Sequence, residues 1–425
     1  MKIVIIGAGA SGLSAANYLK KLGYHDVTVY EKNSYVGGKV FSYTYKDKMY
    51  DLGAIILGKK DNYKISHEIL TRFNIPLEEF VTPEILYMDG RQIAFEDYLK
   101  ENYTVLNTLK AAIFFVRLYF KFRGYFRKGF IHASPELFIS FNAFVQKHKI
   151  ESFADTLKPF FVGCGYGYYE DVPTIYLLRM LFWFVRSRLR LKGMIRTISG
   201  NKEMDIKTCK NGCQELWMAM AKELHVETNA LIESIKRHES GPVIEIVING
   251  KKRTFDRLII SSPLDETVQY MDVSDEEKDL FSKIEYSNYF VTLFLGEGFD
   301  KTYFIRDHVH PSKIGKTVAI CRRHPEENVF MGYQIAPWEA EPDDVLETLK
   351  EDITHLGGKI EEIITQKQWR YFPRLNTQNL KDGYYQRLDK LQGQKGTYYI
   401  GAVMNFETVE NTIDFAQKLV KKYFS

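Results

Sequence analysis

The chain has 425 residues, of which 45% are hydrophobic, and a formal charge of +4 at pH 7. That length exceeds one ordinary core and calls for two domains or an elaborated one. A charge this small gives no electrostatic case for nucleic acid, and no run of about 18 apolar residues marks a membrane span.

The first apolar run, Ile3–Ile6, leads straight into Gly7, Gly9 and Gly12 in the spacing G-x-G-x-x-G. This predicts a strand, a tight turn and a helix from Ser11 to about Leu22. Gly7 lets the chain turn off the strand, Gly9 leaves the backbone open to a pyrophosphate, and Gly12 with Ala16 keeps one helix face small. The helix then aims its N-terminal N–H groups at the phosphates. With the first strand beginning at residue 2, no signal or transit peptide is expected. The next strand, Val27–Tyr30, ends at Glu31, 19 residues after Gly12. A ribose-binding acid is expected at a spacing of about 20. The pair Gly37–Gly38 follows. Strand, turn, helix, strand and acid in register point to a dinucleotide.

Residues 84–96 predict a hairpin turning at Asp89–Gly90. Two stretches, 107–131 and 175–196, are apolar and basic together, and Pro159–Asp171 between them is dense in glycine and aromatics. A helix over 212–223 is followed by short strands at Val226–Thr228, Leu231–Lys236, Val243–Ile248 and Arg253–Phe255, then by the buried strand Arg257–Pro263. A helix from Asp343 to about Leu356 is closed by Gly357–Gly358. The strand Thr397–Ile400 and a helix from about Glu410 to Tyr423 end the chain. Cys164, Cys209, Cys213 and Cys321 show no disulfide framework, which predicts free thiols and a cytoplasmic, reducing setting.

The segments GAGASGLSAANYL, YEKNSYVGGKVFSY, YDLGA, DRLIISSP and YYIGA make the chain similar to the flavin-containing amine oxidase superfamily. Within it the chain resembles the bacterial polyunsaturated fatty acid isomerases, through residues 51–55, 165–179, 211–217, 280–291 and 369–406. The resemblance implies an α/β fold. A Rossmann-like FAD-binding domain (residues 1–75, 205–275 and 393–425) is interwoven with a mixed α/β substrate domain (76–204 and 276–392). It also implies non-covalent FAD. Gly7, Gly9, Ala10, Ser11 and Gly12 would hold the pyrophosphate, Glu31 and Lys32 would serve the adenosine ribose, and Val226 would offer its backbone to the adenine. Gly38 and Lys39 would lie beside the pyrophosphate, Lys39 standing where the family usually has Arg. A lysine there keeps the charge but loses the bidentate fork. Gly53, Ala54, Ile55 and Ile56 would line the flavin ring, while Gly401, Met404 and Thr408 would hold ribitol and the pyrimidine edge.

Two positions depart from the pattern. Ala402 replaces an acid that usually follows Gly401, and Pro83 falls where the isomerases place an Arg that pairs with the fatty acid carboxylate. Arg91 and Arg188 are the alternative cations for that carboxylate.

Chemistry at flavin N5 needs positioning, an apolar cavity and exclusion of water rather than a protein acid or base. No Ser/His/Asp set or metal cluster is found, and His308, His310 and His324 read as structural or exposed. The reading is an FAD enzyme acting by hydride transfer on an unsaturated, lipid-like substrate, as double-bond isomerase or desaturase. The alternatives are an amine oxidase and a flavin-bound scaffold without turnover. Tyr384 and Tyr385 resemble the aromatic walls of the flavin's substrate face, against the plainer reading of two aromatics on a strand near a hinge. Phe160, Phe161, Tyr166, Phe182 and Trp183 are candidates for an acyl tunnel, with core packing the competing reading for each. Residues 110–130 and 179–196 read either as a peripheral membrane contact or as a solvated lid.

Overall fold

Ile3–Ile6 and Val27–Tyr30 are buried at every position, as expected of parallel strands covered on both faces. In a computed structural model of the chain they lie side by side within a five-stranded sheet. Its order is Thr397–Tyr399, Arg257–Ile260, Ile3–Ile6, Val27–Tyr30, His225–Glu227, and every pairing is parallel. The structure describes residues 1–55, 63–79, 85–180, 207–238, 243–299 and 301–425. It divides into two units, Met1–Phe80 with Asp205–Ile284 and Asp382–Ser425, and Val81–Met204 with Glu285–Lys381. Breaks expected near 75, 275 and 392 thus fall at 80, 284 and 381.

In the first unit the glycine-turn helix spans Ala10–Lys21 and the terminal helix Val409–Phe424. Both pack in one core, where Leu13, Ala16 and Leu19 join Ile413, Ala416 and Val420. The amphipathic pattern of the terminal helix explains the placement, since its apolar stripe has no other face to bury. The middle of the chain also gives this unit a three-stranded antiparallel meander, Ile232–Arg237, Ile244–Ile248 and Lys251–Phe255.

The second unit is built on a seven-stranded sheet. Its order is Lys359–Arg374, Glu285–Glu297, Val329–Ala336, Thr317–Cys321, Tyr303–Ile305, Ile85–Met88, Arg91–Ala94. All neighbours are antiparallel except Tyr303–Ile305 with Ile85–Met88. The hairpin turns at Asp89 and Gly90, both at positive φ (50° and 73°), the geometry that matches strand twist in two-residue turns. The helix Pro342–His355 starts on a proline and stops before Gly357 at φ 84°, so start and stop signals were both local.

One buried ionic cluster ties the first unit together. Arg237, on the meander, has a side chain only 1% exposed, and all five of its guanidinium N–H groups find acceptors. Nε donates to Asp272 Oδ1 at 2.7 Å, and Nη2 to the Asp272 carbonyl at 2.6 Å. Nη1 and Nη2 fork onto Glu277 at 2.6 and 2.8 Å, and Nη1 also reaches the Tyr399 hydroxyl at 3.2 Å. Tyr399, on the sheet's first strand, donates in turn to Glu277. Burial alone would raise the Glu277 carboxyl, but hydrogen bonds from Arg237 and Tyr399 outweigh it and hold the group down at about 2. Its stabilising effect is therefore complete above the ordinary carboxylate value of 4.5 and is lost as pH falls from there towards 2. Glu277→Gln is expected to lower the unfolding free energy at neutral pH by about 3 kcal/mol. Denaturant melts at stepped pH should show that deficit shrinking across the same acid range.

Candidate active site

Where Ile3–Ile6 ends, three backbone segments meet with almost no side chain between them. Gly7 turns at φ 103°, and a Cβ there would lie 3.1 Å from the Ser262 amide nitrogen. A Cβ on Gly12 would overlap the carbonyl oxygen of Gly7. From the second loop, the Gly37 N–H donates to the Ala8 carbonyl at 2.9 Å. Gly38 stands so that its Cβ would press on the Gly9 Cα at 3.1 Å. Gly53 packs on the Lys39 carbonyl, which also accepts from the Ala54 N–H at 2.7 Å. Helix Ala10–Lys21 starts at this junction, its positive end facing the bare turn.

The polar groups around the junction suit a phosphate- and ribose-bearing ligand. Ser11 and Ser14 bury their hydroxyls without a hydrogen-bond partner among the described residues. Buried polar atoms of that kind are costly unless a ligand engages them. Glu31 is buried, and its Oε2 accepts from the Ala8 N–H at 2.8 Å. Oε1 accepts from the Asn33 amide nitrogen at 3.0 Å and from its side-chain Nδ2 at 2.7 Å. Oε2, with one donor, has a second lone pair to offer a hydroxyl. Glu227 gives its carbonyl to the Glu31 N–H at 2.9 Å. Strand alternation then directs the amide groups of Val226 away, towards the open edge of the sheet.

Other expected residues stand apart from the junction or act differently. Lys32 carries a 64% exposed side chain, paired with Glu266 at 2.8 Å. Gly401, at φ 115°, caps the short helix Ala402–Asn405, in which Met404 is buried. Thr408 uses its hydroxyl to cap helix Val409–Phe424, accepting from the Asn411 amide at 3.3 Å. Tyr384 and Tyr385 are buried with ring centroids 5.5 Å apart, but they open the helix Tyr384–Lys390 of the first unit rather than lying on a strand. Gly383 at φ 74° reverses the chain just before them and sets the helix start, which a single glycine among polar residues did not reveal. Arg91 forks onto Glu101 at 3.3 and 2.5 Å on the surface of the second unit. Phe161 is core, its ring tilted against that of Tyr169 at 5.7 Å, and Phe160 packs on Phe304. Tyr166 packs edge-on to Phe372 at 4.9 Å. His308 and His310 bond within their own loop region, to the Thr317 carbonyl and to Ser312. Ile56, Pro83, Phe182, Trp183 and Arg188 lie outside the described residues, as does most of the stretch 179–196.

The pattern that defines the flavin containing amine oxidoreductases matches residues 10–291. The chain belongs to that family. Its cofactor is FAD. The structure of the CLA-producing fatty acid isomerase from P. acnes matches this flavin oxidoreductase with a TM-score of 0.85 at 25% identity, over 100% of this chain and 99% of that one. Putrescine oxidase bound to putrescine matches with a TM-score of 0.67 at 13% identity, over 100% and 98% of the two chains, a likeness of fold alone. An L-amino-acid oxidase of Crotalus adamanteus is 43% identical over 79 residues, which are 19% of this chain and 15% of the oxidase.

Two features of this flavin oxidoreductase escaped the sequence. Glu407, buried, forms an ion pair with Lys39 across 368 positions of chain. It follows Phe406, held at φ 108°, a conformation that costs a non-glycine residue about 1–3 kcal/mol. Ala402 is thus not the end of the acidic chemistry in this segment, because a carboxylate arrives five positions later. The second feature is a set of polar braces behind the Gly37–Gly38 loop. Gln214 donates to the Val36 carbonyl at 2.7 Å and accepts from the Ser42 N–H at 3.0 Å. Asp51, buried, accepts from the Ser42 hydroxyl at 2.6 Å and from the Cys213 N–H at 2.9 Å. The only signal for the braces was that Asp51 and Gln214 fall inside segments that resemble the isomerases, and Glu407 lies one residue beyond the last of those segments. Gly12→Ala is expected to yield protein without the flavin absorbance, because the added methyl has no space against the Gly7 carbonyl. Glu31→Gln, which keeps the shape and loses the charge, should weaken FAD retention about tenfold in a dilution assay.

Proposed function

We propose that this protein is an FAD enzyme that moves a double bond along an unsaturated, lipid-like substrate, most simply a polyunsaturated fatty acid. The observation that carries this reading is the end-to-end likeness to the CLA-producing fatty acid isomerase, at TM-score 0.85 and 25% identity. Bound FAD supplies an acceptor and donor of hydride at its N5 atom. Gly7, whose N–H is donated to the Tyr30 carbonyl, would make the turn against the pyrophosphate, and Gly9, Ala10, Ser11 and Gly12 would hold it with backbone N–H groups and the Ser11 hydroxyl. Glu31 takes the adenosine ribose and Val226 the adenine edge. Lys39 and Glu407 meet the cofactor as a pair, so little net charge is placed there. Gly53, Ala54 and Ile55 with Gly401, Met404 and Thr408 position the flavin end. Tyr384 and Tyr385 supply aromatic surface beside it.

The second unit suits an acyl substrate. Tyr289 stacks with Tyr333 at 6.1 Å and packs on Tyr371 at 5.2 Å, and Tyr371 meets Tyr166 at 6.2 Å. The Tyr289 hydroxyl is turned onto the Gly163 carbonyl at 2.5 Å, so its ring presents only apolar surface to its neighbours. A hydrocarbon chain gains from such contact, whereas an amine needs an acidic or polar partner.

Incubation of the purified flavoprotein with polyunsaturated fatty acids without oxygen should produce conjugated-diene absorbance. Hydrogen peroxide released from amines in air, with no diene formed, would replace this reading by an amine oxidase. A yellow protein inert to both substrate classes would mark a scaffold.

A further inference from the structure

We infer that the helix Val105–Lys128 lays its outer face on an anionic lipid surface. The helix starts where the Thr104 hydroxyl accepts from the Asn107 N–H at 3.2 Å. At 100° per residue its side chains sort into three bands. The first band, Ala111, Phe115, Leu118, Phe122 and Tyr125, is at most 5% exposed. It is anchored by Phe115 on Phe153 at 4.4 Å and by Phe122 on Phe144 at 6.2 Å. The second band, on the opposite side, is apolar yet open to solvent. Val105 is 87% exposed, Leu109 57%, Ile113 48% and Phe120 57%, with Leu106 alongside. The third band, on one flank of the apolar stripe, carries Lys110, Arg117 and Lys121, all exposed. Lys121 shares its charge with Glu136 at 2.5 Å.

A soluble helix normally shows this face as polar. Here the outer face is apolar, and the helix contains Lys110, Arg117, Lys121, Arg123, Arg127 and Lys128 with no Asp or Glu. Charge complementarity selects the occupant. A second copy would bring an equally basic helix without carboxylates against this one, whereas an anionic leaflet offers negative charge at the rim and hydrocarbon at the centre. No described helix is long and apolar enough to cross a membrane, so the contact is one of lying on the surface. It is independent of the reaction proposed above.

The test uses the full flavin-loaded chain and sedimentation with vesicles of phosphatidylcholine alone or with one-third phosphatidylglycerol. Binding is expected on the anionic vesicles, weakening as salt rises. Leu109→Ser with Ile113→Ser and Phe120→Ser should abolish it while flavin absorbance and melting temperature stay unchanged. Should that triple variant fold poorly, Lys110→Gln with Arg117→Gln provides the second reading, with anionic binding reduced roughly fivefold per charge removed. The inference is overturned by equal binding to both vesicle compositions or by none to either. Binding that survives both sets of substitutions also overturns it, as does concentration-dependent self-association that the triple variant removes.

Discussion

The first unit depends on a place where side chains cannot exist. At the head of the central strand, the turn through Gly7, the start of the helix at Gly12 and the loop through Gly38 approach each other as bare backbone. That approach positions the helix end, the strand end carrying Glu31 and the loop carrying Lys39 around one point. Van der Waals repulsion rises so steeply that even one methyl group at Gly12 would separate them. Every polar feature described at the site takes its position from this contact.

Around this bare centre, buried charge and hydrogen bonding connect pieces of chain that are far apart in sequence. Arg237 with Asp272, Glu277 and Tyr399 joins the meander, a neighbouring helix and the sheet's first strand. Asp51, Ser42 and Gln214 do the same behind the second glycine loop. Such groups add little net energy over apolar packing, yet an unmatched member is heavily penalised. Their effect is therefore on uniqueness, because a misplaced segment would strand a buried charge. Lys39 and Glu407 follow the same logic, with a positive-φ phenylalanine holding the acid in place.

Local signals were legible in the sequence. G-x-G-x-x-G after Ile3–Ile6, the Asp89–Gly90 turn and the helix between Pro342 and Gly357 each state their structure within a few residues, and the observed bounds agree to within two. What stayed hidden was pairing over distance. Nothing near Lys39 announces Glu407, nothing near Arg91 says that Glu101 will take its charge, and Lys32 reads as readily inward as outward. The plainer reading of Tyr384 and Tyr385 as part of a strand failed for a related reason. Two adjacent aromatics favour a strand locally, but a left-handed Gly383 and burial in the first unit make them the start of a helix.

The order of strands in the parallel sheet carries one more consequence. Ile3–Ile6 pairs on one side with Arg257–Ile260, which pairs in turn with Thr397–Tyr399, and Tyr24 closes onto the carbonyl of Phe424. During synthesis the amino-terminal strands leave the ribosome long before the partners that flank them. The contact order of this unit is consequently high, and its edge stays open until the last residues have emerged. The helix Val409–Phe424, which packs in the same core as the glycine-turn helix, is the last element to reach it. A nascent chain lacking its final two dozen residues would leave Leu13, Ala16 and Leu19 of the first helix without Ile413, Ala416 and Val420, an apolar surface of the kind that chaperones bind.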